Sequence, residues 1–180
     1  MKKTLVIVVH PAIENSVVNQ RWLQELSLYP EQFTLHNVHQ AYPDGNIDVA
    51  KEQALVEAHG NVVLQFPMYW FNCPPLMKKW LDEVLAYGWA YGTGGEAFKG
   101  RKVALGVTAG INEPDFTPEG KWGHTLAQLL APFDVTFNYV QAEGRQLFAF
   151  YGAEYGDAEP AYAERVGQSA VEYARFLSAL

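Results

Sequence analysis

Residues 61–84 read NVVLQFPMYWFNCPPLMKKWLDEV. The stretch opens on Val62-Val63-Leu64 and Phe66, an apolar run that reads as a parallel strand buried on both faces. It closes with Leu76, Met77, Trp80, Leu81 and Val84 at helical spacing, and Lys78, Lys79, Asp82 and Glu83 take the other side. Between strand and helix, residues 67–75 form a turn. Its prolines, Pro67, Pro74 and Pro75, fix φ and remove backbone donors, so it is stiff. In an open α/β sheet, ligands bind at the carboxyl ends of strands, where this turn must sit. Its consecutive Tyr69, Trp70 and Phe71 read as a platform for a flat ring. The alternative is that these aromatics belong to the core or to an interface.

The flanking chain alternates strand and helix. Thr4 to Val9 is expected as a central first strand, ending at His10-Pro11, and a helix follows from Val17 to about Ser27 with Ser16 as N-cap. Phe33 to Val38 is a second, edge strand, and Val49 to Ala58 a short helix. After the aromatic turn, the glycine-rich segment 87–95 reads as a mobile or interfacial loop. Lys102 to Val107 is a fourth strand. The loop from Ile111 to His124 is long enough to suggest function, and a helix follows from Thr125 to about Phe133. Val135 to Gln141 is expected to begin a fifth strand that Gln146 to Tyr151 completes. A loop over Gly152 to Glu159 and a closing helix from Ala161 to Leu180 end the chain. The fold class is therefore α/β, a single domain with a five-stranded parallel sheet in the order 2-1-3-4-5 and helices on both faces.

Three loops converge where strands one and three diverge: His10–Asn19, Pro67–Phe71 and Thr108–Phe116. The first offers a helix N-terminus for an anion, with Ser16 and Asn19 as side-chain partners. Neither GxGxxG nor GxxxxGK[ST] occurs, so a dinucleotide or P-loop site of those kinds is not expected. Together the loops describe a seat, a platform and a small-residue floor for a flavin mononucleotide head.

The 180 residues suffice for one core, and 49% hydrophobic with 18% charged content marks a globular chain. A net charge of −7 argues against nucleic acid or an anionic membrane as partner. The single cysteine, Cys73, cannot form an internal disulfide, which favours a reducing cytoplasm. The amino-terminal apolar run is too short for a membrane span. No His/Cys/Asp cluster at metal-ligand spacing and no nucleophile elbow appears.

Four blocks stand in order along the chain: His10-Pro11 with Ser16-x-x-Asn19; Tyr42-Pro43-Asp44 with Ile47-Asp48; Gln65 to Trp70 with Pro74-Pro75-Leu76-x-Lys78-x-Trp80-Leu81-Asp82; and Gly88 to Gly92 with Gly94-Gly95. Together they resemble the flavodoxin-like NAD(P)H:quinone oxidoreductases, and in particular the bacterial branch that includes ancillary subunits of glutathione-gated potassium efflux systems. The resemblance implies FMN or FAD, bound non-covalently, with NADPH or NADH as hydride donor. Hydride would enter at flavin N5 and leave to a quinone or similar flat acceptor, two electrons at a time. His10, Ser16, Val18 and Asn19 would line the phosphate and ribityl chain. Pro67, Met68, Tyr69, Trp70 and Phe71 would lie along the ring, and Thr108, Ala109 and Gly110 along its pyrimidine edge.

The resemblance also implies a homodimer with flavin sites near the interface, and the Trp89–Tyr91 loop reaching the neighbour's site. Two departures stand out. Ala109-Gly110-Ile111 replaces Thr-Gly-Gly, and Phe116 stands where some members carry a tyrosine beside the flavin. His124 is one candidate for the missing donor. No catalytic residue is assigned. Two alternatives keep the fold and cofactor: a regulatory flavoprotein subunit of a membrane transporter, the potassium efflux antiporter, or a flavodoxin-type electron carrier.

Overall fold

The computed structural model describes residues 2–154, 156 and 161–180. They build a parallel sheet of five strands: β1 (Thr4–Val8), β2 (Phe33–Asn37), β3 (Val62–Pro67), β4 (Lys102–Thr108) and β5 (Glu143–Phe150). The order is β2-β1-β3-β4-β5, as expected. The helices are α1 (Val17–Leu26), α2 (Val38–Ala41), α3 (Val49–Ala58), α4 (Pro75–Val84), α5 (Leu126–Leu129), α6 (Ala131–Tyr139) and α7 (Tyr162–Ser178). The loop expected over Gly152 to Glu159 falls partly outside the described residues.

Alternation along the central strands feeds two cores. Leu5, Ile7, Leu64 and Phe66 pack with Met77 and Trp80 of α4 on one face. Val6, Val8 and Val63 pack with Trp22 of α1 and Tyr173 of α7 on the other. Gly106 of β4 makes room for Tyr173 of the second core, since a Cβ there would meet the Tyr173 hydroxyl at 2.3 Å. In register, Val8 lies beside Asn37 and Gln65, and Thr108 beside Pro67 and Phe150. The strand order reverses between β1 and β3, so their loops part and leave a crevice at the carboxyl edge.

A buried carboxylate ties the β2 side together. Glu52 of α3 is 2% exposed and accepts from Trp80 Nε1 (2.7 Å) and the Tyr42 hydroxyl (2.8 Å), with His36 Nε2 at 2.8 Å. These bonds hold its pKa below the ordinary carboxylate value against the opposing effect of burial. Tyr42, part of the second sequence block, is thus a strut between α3 and β2.

The expected strand over Val135 to Gln141 is corrected: most of it is helix α6. Phe133, Phe137 and Val140 are buried while Val135 and Tyr139 are exposed, which is helical spacing and not alternation. Gln141 then takes left-handed backbone (φ 63°) past the helix end. The expected helix from Thr125 to Phe133 is two pieces: α5, capped by a Thr125–Gln128 box, and α6, which restarts around Pro132. Val38 belongs to α2, not β2, because the Asn37 side chain accepts from Gln40 N–H and starts a helical turn there. Among the described residues no helix is long and apolar enough to cross a membrane.

Candidate functional site

The aromatic turn is a two-residue hairpin. Tyr69 N–H donates to the Asn72 carbonyl (3.0 Å) and Asn72 N–H to the Tyr69 carbonyl (2.9 Å). Between them Trp70 (φ 49°) and Phe71 (φ 60°) both adopt left-handed backbone. Such a turn suits Asn-Gly, so two large aromatics cost about 1–2 kcal/mol each. Strain of this kind concentrates at ligand sites. Trp70 is 94% exposed and belongs to no core. Phe71 is half-buried and meets the Trp122 ring at 5.2 Å.

At the head of α1, the Ser16 hydroxyl oxygen accepts from Asn19 N–H (3.2 Å) and from Asn19 Nδ2 (3.1 Å). The first-turn N–H groups of Val17 and Val18 have no helical carbonyl to bond. Asn19 itself is buried. Its Nδ2 also donates to Thr108 Oγ1 (3.0 Å), and its Oδ1 accepts from Gln65 Nε2 (3.1 Å). His10 Nδ1 accepts from Ala12 N–H (3.1 Å), so that nitrogen is bare and the ring neutral. Burial holds the His10 pKa below its ordinary value, Glu14 opposes this and His39 adds to it.

Two cavities open at the crevice and share Met68, Tyr69, Gly110 and Glu154. The smaller, about 270 Å³, lies at the α1 head and is lined by His10, Ser16, Val17, Val18, Pro67 and Thr108. The larger, about 580 Å³, is lined by Trp70, Phe71, Ala109, Ile111, Phe116 and Trp122, a mainly apolar set. Of the residues expected to line the flavin, Asn19 alone lines neither: it points into the protein beneath the seat. Phe116 is buried and packs on the Tyr151 ring at 5.6 Å. His124 lines neither cavity; it is exposed and bonded to the Trp122 carbonyl. Cys73 is half-buried, and burial pushes its thiol pKa up, away from a reactive thiolate. Trp89 donates to Glu57 (2.7 Å) and packs edge-on to Phe98, so its loop is fastened to its own chain.

Sequence reasoning missed Glu154 and Trp122. Glu154 follows β5, whose start was misplaced, and its side chain lies against Gly110, where a Cβ would meet the carboxyl carbon at 2.4 Å. Trp122 stands in a polar loop, and its indole N–H is buried without a partner among the described residues. An isolated tryptophan in such a loop was the available signal. Among the described residues no Lys or Arg lines either cavity; an anion at the α1 head meets neutral donors and a helix terminus, with the Glu154 carboxylate also in the lining. Among the described residues no group of His, Cys, Asp or Glu is placed to hold a metal.

Known proteins share this architecture. A Bacillus subtilis protein named "Uncharacterized NAD(P)H oxidoreductase YrkL" is 44% identical over 150 residues, 83% of this chain and 86% of its own. The glutathione-regulated potassium-efflux system ancillary protein KefG of Cronobacter sakazakii is 38% identical over 134 residues, 74% of this chain and 72% of its own. The crystal structure of general stress protein 14 from Treponema denticola, a complex with FMN, superposes with a TM-score of 0.93 at 45% identity and covers 98% of each chain. A family model described as flavodoxin-like fold matches residues 2–172. The chain belongs to that family, whose doubly wound sheet and strand-end crevice are the ones described above.

Proposed function

We propose that the protein is an FMN-dependent NAD(P)H oxidoreductase. The observation that carries this reading is the pair of joined cavities, one at a helix N-terminus and one lined mainly by aromatic and other apolar side chains. Their larger volume falls in the roughly 300–1,000 Å³ that small-molecule sites span. The FMN complex of the Treponema denticola relative supports FMN over FAD.

Ser16 and the N–H groups of Val17 and Val18 hold the phosphate. His10, neutral and with its second nitrogen protonated, adds a donor at the same end. Tyr69, Trp70 and Phe71 flank the ring. Ala109 and Gly110 form the floor at the pyrimidine edge, with Thr108 held just behind by Asn19. The bound flavin supplies hydride transfer from NADPH or NADH to a quinone or similar flat acceptor, which takes up a proton and leaves reduced. Phe116, Ile111 and Trp122 exclude water from the slot in which donor and acceptor take turns.

Two partner assignments accompany this. A homodimer is supported by the exposed Tyr87 and Tyr139, whose rings meet the half-buried Tyr91 between them at 5.8 and 5.4 Å. A second reading, a regulatory subunit on a potassium efflux antiporter, is favoured by the likeness to KefG. Anaerobic mixing of the FMN-loaded protein with NADPH or NADH, then with a quinone, tests the enzymatic reading. Visible absorbance is expected to bleach with the nicotinamide and return with the quinone. Flavin that stays oxidised contradicts it.

A further inference from the structure

Gln65 is fully buried in the middle of the sheet and lines neither of the two cavities, yet it is polar. A side chain in that place must have a reason. Its Nε2 donates to Asn19 Oδ1 at 3.1 Å. That bond turns the Asn19 amide so that Nδ2 faces both Ser16 Oγ (3.1 Å) and Thr108 Oγ1 (3.0 Å). The Ser16 oxygen also takes the Asn19 backbone N–H. With its oxygen engaged from inside, the Ser16 hydroxyl has its proton left for the cleft, and the same holds for Thr108.

The opposite orientation of the two amides is disfavoured. It would point the Gln65 NH₂ at the space by Gly106, its register partner, where the Tyr173 hydroxyl lies. One buried hydroxyl cannot satisfy two amide protons. In the observed orientation one Gln65 proton is used by Asn19, and the Gln65 oxygen lies on the same side of the sheet as that hydroxyl, which likewise has no partner among the described residues. An unpaired carbonyl oxygen is the more tolerable orphan.

We propose that Gln65 is a positioning residue for the phosphate seat: through Asn19 it commits the Ser16 hydroxyl as a donor toward a bound phosphate monoester, and the Thr108 hydroxyl as a donor into the cleft beside it. The assignment rests on the flavin reading above. It explains how a seat without Lys or Arg can favour an anion: neutral hydroxyls, which can donate or accept, are held as donors. No residue of the chain between Gln65 and the seat moves or titrates in this scheme.

The test compares FMN with riboflavin, which lacks the phosphate. Gln65→Met keeps the volume and removes the hydrogen bonds. It is expected to weaken FMN about tenfold while riboflavin binding changes less than about twofold. Ser16→Ala removes the donor at the end of the chain, so the Gln65→Met/Ser16→Ala double variant loses less than the product of the two single losses. Equal weakening of both ligands, full multiplicativity, or unchanged FMN binding in Gln65→Met overturns the assignment. Wild-type protein that ignores FMN overturns the flavin reading and this assignment together. Should Gln65→Met not fold, the wild type still decides: the side-chain amide NMR signals of Asn19 and Gln65 shift with FMN and not with riboflavin. Identical responses to both ligands contradict the proposal.

Discussion

Tyr69 and Asn72 exchange two backbone hydrogen bonds and hold Trp70 and Phe71 in left-handed backbone between them. Because Trp70 packs on nothing in its own chain, its strain and its ring can be separated. Trp70→Gly relieves the backbone and is expected to stabilise the protein by about 0.5 kcal/mol, the relief being partly offset by the entropy of glycine in the unfolded chain. Trp70→Ala leaves the backbone strained and stability nearly unchanged. Both are expected to weaken FMN binding. Urea unfolding and FMN titration check the pair, and unchanged FMN affinity in both variants removes the ring from the site.

Glu52→Leu is expected to cost roughly 3 kcal/mol, because Trp80 Nε1 and the Tyr42 hydroxyl lose the oxygens that accept from them. Urea denaturation measures it. A cost under about 1 kcal/mol would mean that neighbouring groups re-satisfy these donors.

His10 and His39 both have pKa values held below the ordinary 6.5 by burial. Such a histidine binds its proton better in the unfolded chain, so the unfolded state carries more protons just below pH 6.5. Stability from these groups is complete above that pH and is lost as pH falls from there through the folded values. His10→Gln is expected to flatten part of the slope between about pH 5 and 7. Thermal melts across that range check it, and a slope unchanged in the variant contradicts the assignment. FMN phosphate beside His10 pulls the other way, so saturating FMN raises the His10 pKa, as NMR titration reads directly.

Tyr173→Phe removes a buried hydroxyl that has no partner among the described residues. The expected result is a melting temperature equal to or slightly above that of the wild type. A clear fall would show that the hydroxyl has found one.

Much of this was legible from the residues. The buried runs Val62–Leu64 and Leu5–Val9 betrayed the central strands, since only a strand covered on both faces is apolar without alternation. β5 was not readable in the same way. It is an edge strand that opens on exposed Glu143, Gly144, Arg145 and Gln146, while the apolar Val135–Tyr139 beside it is helical. The seat and the platform could be placed by loop and spacing. The inward turn of Asn19 could not, because whether an amide at the first turn faces ligand or protein depends on Gln65 and Thr108, 46 and 89 residues away. Glu154 and Trp122 were hidden for the same reason: their place in the cleft comes from packing between loops far apart in the chain.

The measurement closest to the central claim is a calorimetric titration of the purified, flavin-stripped protein with FMN. One FMN per chain, with riboflavin clearly weaker and binding of both reduced in Trp70→Ala, is the expected result. A protein that takes up no FMN, or binds riboflavin as tightly, contradicts a seat at the head of α1 joined to a ring slot.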